Sequence, residues 1–313
     1  MFRKRFFMKI LIAGATGAIG QPLVKELLKE GYEVYGITLS KERSAKLAKE
    51  GAKPVILDVL NTEAVAAVLS DVKPTIVIDM LTRLPKEYTP ESMRQAALLD
   101  AQIRMEGGAN LLTAAVQQGV KRYIAQSSGF WYEPGEGMAD ENTSMAFQAS
   151  PGIAASVRLY EEIEKRLFKT SSLEGVALRF GFFYGLGTWF NPEGDVAEQI
   201  RKQQFPIIGA GEGVWNFVHI EDAAHAIVSA IKSVPGVYNV VNDYPSPMHE
   251  WLPAFAKYLK AAAPPFISEK EGFKLRGADS VYYATKLRAA SNAKAKKELH
   301  FKPRLFEWIK QDG

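Results

Sequence analysis

Three glycines carry the first chemical signal in the chain. Gly14, Gly17 and Gly20 stand three residues apart in KILIAGATGAIGQPLVKELLKEG, between a short apolar run and a segment of helical periodicity that stops at Gly31. This arrangement suits a phosphate. Gly14 permits a tight turn, Gly17 lets the main chain approach a pyrophosphate, and Gly20 lets the helix pack closely on the strand. The anion then faces the helix N-terminus, where the N–H groups of Thr16, Ala18 and Ile19 and the positive end of the helix dipole favour it. A dinucleotide is the expected ligand, and a purely structural turn is the alternative.

The end of the second strand separates NAD from NADP. An acid there would hold a ribose 2′-hydroxyl, but the chain reads Thr38, Leu39, Ser40, Lys41, Glu42, Arg43. After Thr38, the residues Ser40, Lys41 and Arg43 suit a 2′-phosphate, which favours NADP over NAD. The same stretch also reads as a plain helix start. Asp58 stands where an acid would contact adenine, with Val59 beside it, or else it caps the following turn. Met80 and Leu81 after the fourth strand, and Ser127 after the fifth, complete the expected cofactor cleft.

These groups meet only if the chain brings strand ends to one edge. Runs apolar on both faces predict strands at 8–13, 33–38, 54–57, 75–79, 122–126 and 176–180. Helices are expected at about 18–30, 41–50, 62–69, 91–118 and 152–168, with Thr62 as an N-cap and Gly31 and Gly119 at helix ends. Such alternation implies an α/β fold, a doubly wound parallel sheet with right-handed crossovers. After residue 184 glycine and proline thicken. The expected division is a dinucleotide-binding domain over 8–184 plus 236–242, and a smaller mixed C-terminal substrate lobe over 185–235 plus 243–313. The stretch VYNVV (237–241) returns as a late strand of the sheet.

Composition bounds the function. The 313 residues are 47% hydrophobic and 24% charged, which fits a protein with a substantial core. The net charge of +4 comes from basic residues scattered among acids, so nucleic acid is not an expected partner. The cluster Lys294–Lys297 reads as a solvated helix face. There is no cysteine, which excludes disulfides and thiolate chemistry and fits a reducing, cytoplasmic setting. No apolar run reaches the length of a membrane span, so no membrane partner is expected. The histidines at 219, 225, 249 and 300 lack metal-ligand spacing. Residues 1–7 read as an extension before the first strand.

With the glycine turn, four further stretches carry a family resemblance: VKRYIAQSSGFWY, VALRFGFFYGLGT, GVWNFVHIEDAAHAI and SNAKAKKELHFKP. Over roughly residues 8–303 the chain resembles the extended short-chain dehydrogenases/reductases, the NAD-dependent epimerase/dehydratase family with its Rossmann fold. That family uses a tyrosine, a lysine four residues on and a serine for proton transfer at a substrate oxygen. The resemblance implies Ser128 as the serine, with Ser127 beside it. It places the tyrosine and lysine on Ile153 and Val157, in an alignment anchored by Pro151 and by Glu161 and Glu162. It also places Arg104 where an asparagine is usual, either as a cation at the cofactor edge or as a helix-surface residue, and Asp79 where a histidine is common. A homodimer through helices 91–118 and 152–168 is implied in the same way.

Substitutes for the missing acid are few. Tyr132 follows the serine loop and is the first candidate, with Tyr184, His219 and Tyr160 read mainly as structural. Phe130, Trp131, Trp189, Phe190 and Trp215 are expected either to wall a ring-shaped pocket or to pack as core, and Asn191 and Arg179 to add polar contacts. Three functions remain open. One is an NAD(P)-binding oxidoreductase or epimerase of atypical catalysis, acting on a small molecule such as a nucleotide sugar or small carbonyl compound. The second is a non-catalytic NADP(H)-binding sensor or scaffold. The third is a dehydratase or lyase.

Overall fold

A computed structural model of the protein describes residues 8–308. The extension expected over residues 1–7 lies outside the described residues. Strands and helices alternate through the first half: β1 Lys9–Ala13, α1 Gly20–Lys29, β2 Glu33–Thr38, α2 Lys41–Lys49, β3 Lys53–Ile56, α3 Thr62–Val72, β4 Ile76–Asp79, α4 Pro90–Gln102, α5 Gly108–Gln117, β5 Arg122–Ser128, α6 Pro151–Lys169 and β6 Glu174–Phe180. The remainder is more broken: β7 Phe182–Tyr184, α7 Asp195–Arg201, β8 Ile207–Ile208, β9 Val214–Trp215, β10 Phe217–His219, α8 Ile220–Ala230, β11 Gly236–Val240, β12 Ser246–Pro247, α9 Met248–Tyr258, β13 Phe266–Ile267, α10 Glu269–Thr285 and α11 Ala293–Glu298. No helix among the described residues is long and apolar enough to cross a membrane.

Seven strands form one parallel sheet in the order β11-β6-β5-β4-β1-β2-β3. The order reverses between β1 and β4. A doubly wound sheet opens its ligand crevice at that point, beyond the strand carboxyl ends. The strands are apolar on both faces because helices cover both. Ile10 and Ile12 face one layer, built from α1 and α8, while Leu11 and Ala13 face the other, built from α3, α5 and the end of α6.

That two-sided demand is met by residues from late in the chain. The apolar face of α8, with Ala223, Ile227 and Ala230, packs under the sheet alongside α1, and so do Ala295, Leu299 and Phe301. These residues belong to the sheet's core and not to the smaller lobe, since a parallel sheet left bare on one face would expose its apolar residues. The lobe has its own core, dominated by Trp215, Trp251, Phe190, Phe217 and Phe255, all fully buried.

Two local readings also change. The helix expected over 91–118 is α4 and α5 joined by a π-helical turn, Ile103–Gly107. Glycines allow this close passage: a Cβ on Gly107 would stand 2.7 Å from Val59 Cγ2. The cap of α3 is Asn61, whose side chain accepts from the Ala64 N–H at 3.0 Å, and Thr62 is the first helical residue. Asn61→Ala is therefore expected to cost about 1 kcal/mol. Urea denaturation checks this as a lower midpoint at unchanged slope.

Candidate active site

The glycine turn closes as its spacing requires. The Gly17 N–H donates to the Gly14 carbonyl at 3.0 Å, and Gly14 has φ +88°. A Cβ on Gly14 would stand 2.5 Å from the Met80 carbonyl oxygen, so the turn lies directly against the end of β4. The N-cap of α1 is Ile19, which offers no side-chain cap, and the first turn holds no acid. The opening N–H groups of α1 thus lack a side-chain acceptor, and the residues present fit a pyrophosphate. Thr16 and Ala18 are half-buried and Gly17 exposed at the mouth, with Ile19 and Gly20 buried behind. Gly187, on the loop after β7, brings the second lobe over this turn: its Cβ would lie 3.8 Å from the Ala18 Cβ.

At the β2 end, both readings of the polar stretch have a place. Ser40 caps α2, its Oγ accepting from the Arg43 N–H at 3.3 Å, and the buried Thr38 hydroxyl accepts from the Ser40 N–H at 3.2 Å. The Lys41 and Arg43 side chains remain exposed beside that turn. Asp58 is exposed, and its Oδ1 takes the Leu60 N–H at 3.0 Å, which is the turn-capping role. Val59 and Met80 are buried, and Leu81 is half-buried at the cleft.

The end of β5 divides the serine pair. Ser127 donates to Glu164 Oε1 at 2.5 Å, which ties its hydroxyl into a buried network. Ser128 Oγ is buried and without a hydrogen-bond partner among the described residues, which marks it as the serine still free to meet a ligand. Arg179 donates to both Glu164 oxygens, at 2.8 and 2.7 Å, and to the Tyr132 hydroxyl at 3.0 Å. Tyr132 in turn donates to Asn239 Oδ1 at 2.5 Å. These contacts bear on the expected catalytic role of Tyr132. Its side chain is fully buried, its hydroxyl is committed, and burial pushes its pKa up.

The face of α6 turned inward carries Ile153, Val157, Tyr160 and Glu164. Ile153 and Val157 are buried hydrocarbon packed with Trp131, Phe182 and Tyr184. Tyr184 has a buried hydroxyl without a partner among the described residues, and burial raises its pKa far from physiological pH. His219 caps α8, its Nδ1 accepting from the Glu221 N–H at 3.2 Å, and burial together with Arg304 holds it towards the neutral form. Asn191 serves its own loop, donating to the Thr188 carbonyl and accepting from the Glu193 N–H at 2.8 Å.

The aromatic residues separate by depth. Phe190 and Trp215 are buried, with Phe182 stacked on Trp215 at 4.2 Å, and Phe190 also lines a cavity of about 260 Å³ together with Tyr184, Asn191 and His219. Phe130 and Trp189 stay half-buried, and Trp131 lies between Phe130 and Tyr160 at 4.7 and 5.7 Å. Arg104 is not a surface residue. It is buried, with Nε on Asp100 at 2.8 Å and Nη2 on the Thr82 hydroxyl at 2.8 Å. The Asp100 to Arg104 spacing was the available signal for this inward pair, and the 153-157-160-164 stripe was the signal for Glu164.

Comparison with known proteins agrees with this geometry. The profile described as the NAD dependent epimerase/dehydratase family matches residues 10–241. A Streptomyces protein named 3-diazoavenalumate denitrifying reductase is 37% identical over 311 residues, covering 98% of this chain and 99% of that protein. Among solved structures, the UDP-glucose 4-epimerase of Thermus thermophilus, in complex with NAD, is 25% identical. It superposes with a TM-score of 0.73 over 96% of each chain. The UDP-glucose 4-epimerase of Thermotoga maritima, with UDP-glucose, shares the fold at TM-score 0.75 and 18% identity, over 96% of this chain and 95% of that one.

Proposed function

The chain belongs to the NAD-dependent epimerase/dehydratase family, and from that premise we propose that it is an NADP(H)-dependent reductase that removes a diazo group from a small aromatic acid as dinitrogen. The observation that carries this reading is the hydrocarbon pair, Ile153 and Val157, buried on the inward face of α6. A reaction that moves a proton at oxygen needs a positioned acid or base. Reductive loss of a diazonium group does not. The carbon–nitrogen bond breaks, its electron pair leaves with dinitrogen, and a hydride forms the new carbon–hydrogen bond, with no proton exchanged. The denitrifying reductase related along nearly the full chain supports the same choice.

When bound, the nicotinamide supplies that hydride. The protein's own residues hold and orient. The turn Gly14–Gly20 receives the pyrophosphate, and Lys41 and Arg43 receive the 2′-phosphate. Ser128 offers its free hydroxyl at the end of β5. The half-buried Phe130 and Trp189 offer ring surface to an aromatic substrate.

The test is direct. The protein is mixed with an aryl diazonium carboxylic acid and NADPH or NADH, and loss of reduced-nicotinamide absorbance is followed together with dinitrogen release. Stoichiometric dinitrogen with NADPH is the expected result. Turnover of nucleotide sugars or carbonyls alone would assign the family's oxygen chemistry instead. Dinucleotide binding without any turnover would assign the non-catalytic role. Arg43→Glu is expected to weaken NADPH about tenfold while NADH changes less than about twofold, since one charge-assisted contact is lost. Fluorescence titration with both cofactors checks it.

A further inference from the structure

The most unusual group at the strand carboxyl edge is Arg104. The π-helical turn Ile103–Gly107 carries it inward. A guanidinium has five N–H donors and cannot shed its charge in a protein, so a buried one needs its donors met. Here Nε meets Asp100 and Nη2 meets Thr82, but Nη1 makes no hydrogen bond among the described residues. The neighbouring carboxylates do not take it. Asp100 Oδ1 already accepts from the Thr82 hydroxyl at 2.9 Å and the Arg83 N–H at 2.5 Å. Asp79 accepts from the Tyr123 hydroxyl at 2.8 Å and the Leu81 N–H at 3.1 Å, and its burial favours the neutral form.

The place of Arg104 is fixed by its contacts. Thr82, which it holds, follows two residues after Met80, and Met80 lies against the glycine turn. Its guanidinium carbon sits 5.3 Å from the centre of the Tyr160 ring. Tyr160 is one helical turn, about 6 Å, before Glu164, whose carboxylate reaches Ser127. Tyr160 and Arg104 therefore lie within about one helical turn of the end of β5, which Ser127 and Ser128 form. Tyr160 leads on to Trp131. The gap beside Arg104, bounded by Asp79, Leu81, Gln126 and Ile163, is about 10 Å³. That is room for one oxygen-sized group.

We propose that Arg104, braced on the ring of Tyr160, pairs with an anionic oxygen of the substrate, a carboxylate or a phenolate carried on an aromatic ring. Asp100 and Thr82 aim the planar guanidinium, which lies over the Tyr160 ring within cation–π range and has a fork of donors that lysine does not reproduce. The proposal rests on the reductase reading for the aromatic character of the substrate, but its test needs no turnover.

Calorimetry with the NADP⁺-loaded protein measures three probes: cinnamate, which has a carboxylate only; cinnamamide, which is neutral; and p-nitrophenol as its anion, which has a phenolate only. The expected result is that one anion binds about tenfold or more tightly than cinnamamide. The tighter of cinnamate and nitrophenolate identifies the source of the charge. Arg104→Met should bring that anion down to the cinnamamide level, and Arg104→Lys should restore only part. Equal binding of the anions and cinnamamide by the native protein overturns the proposal, as does an Arg104→Met protein that keeps the preference. Should Arg104→Met fail to fold, the native ratio and Arg104→Lys decide. A protein that prefers an anion yet leaves diazo compounds untouched loses the reaction and keeps the anchor.

Discussion

Gly14→Ala is expected to abolish dinucleotide binding, with affinity for NADPH falling by at least about a hundredfold, near 2.7 kcal/mol. Two costs act together. At φ +88° an alanine sits in the left-handed region, which costs roughly 1–3 kcal/mol. The new methyl would also meet the Met80 carbonyl oxygen at 2.5 Å. The methyl has no rotamer and the oxygen it meets is main chain, so no side-chain rotation relieves the contact. Either the turn opens or β4 withdraws, and in both cases the N–H groups at the start of α1 leave the crevice. Fluorescence titration with NADPH and a thermal melt check the two consequences separately. A variant that melts lower but binds within tenfold of the native protein would move the pyrophosphate away from this turn. Gly119→Ala is the matched control: it also has positive φ, at +68°, but a Cβ there meets nothing within 4 Å. It is expected to lose stability and keep the ligand.

The glycine turn and the six early strands were legible because each depends on a few consecutive residues. Turn chemistry and a two-faced apolar run need no knowledge of distant partners. The surroundings that the sequence left undecided are those that depend on long-range contacts. Tyr132 looked free because its partner, Asn239, is 107 positions away. Ser127 and Ser128 are indistinguishable as types, and only Glu164, brought across from α6, separates the engaged hydroxyl from the free one. Arg104 read as equally at home on a helix surface because its inward turn comes from a π-helical step set by glycine packing against Val59. The covering of the sheet's second face depends on distance in the same way. The apolar stripe of α8 is plain in the sequence, but which surface it covers is decided by the bare face of the sheet. Aromatic residues in glycine-rich loops were the hardest to place, since Trp215 and Phe190 close the lobe's core while Phe130 and Trp189 remain at its edge.

Glu164→Ala is the second large effect and tests whether the end of β5 is held from below. Removing this carboxylate leaves the Arg179 guanidinium buried with no counter-charge and frees the Ser127 hydroxyl. Breaking one side of a buried pair costs about 3–5 kcal/mol, which for a chain of this size lowers the melting temperature by roughly 10 °C. Removing both charges is a different experiment. Glu164→Leu combined with Arg179→Met leaves no stranded ion, and apolar side chains of similar volume fill the space, so most of the stability should return. Function need not return with it. Ser128 is one residue from Ser127, and the strand end that carries its unpartnered hydroxyl pairs with β6 at Arg179 and Phe180, beside the Glu164 contact. The double variant should therefore melt near the native temperature yet turn over more slowly, with the loss in kcat and not in affinity for NADPH. If stability and turnover recover together, the network is only a core feature. If stability alone recovers, the buried ion pair is retained to position Ser128, and its cost in desolvation is offset at the site above it.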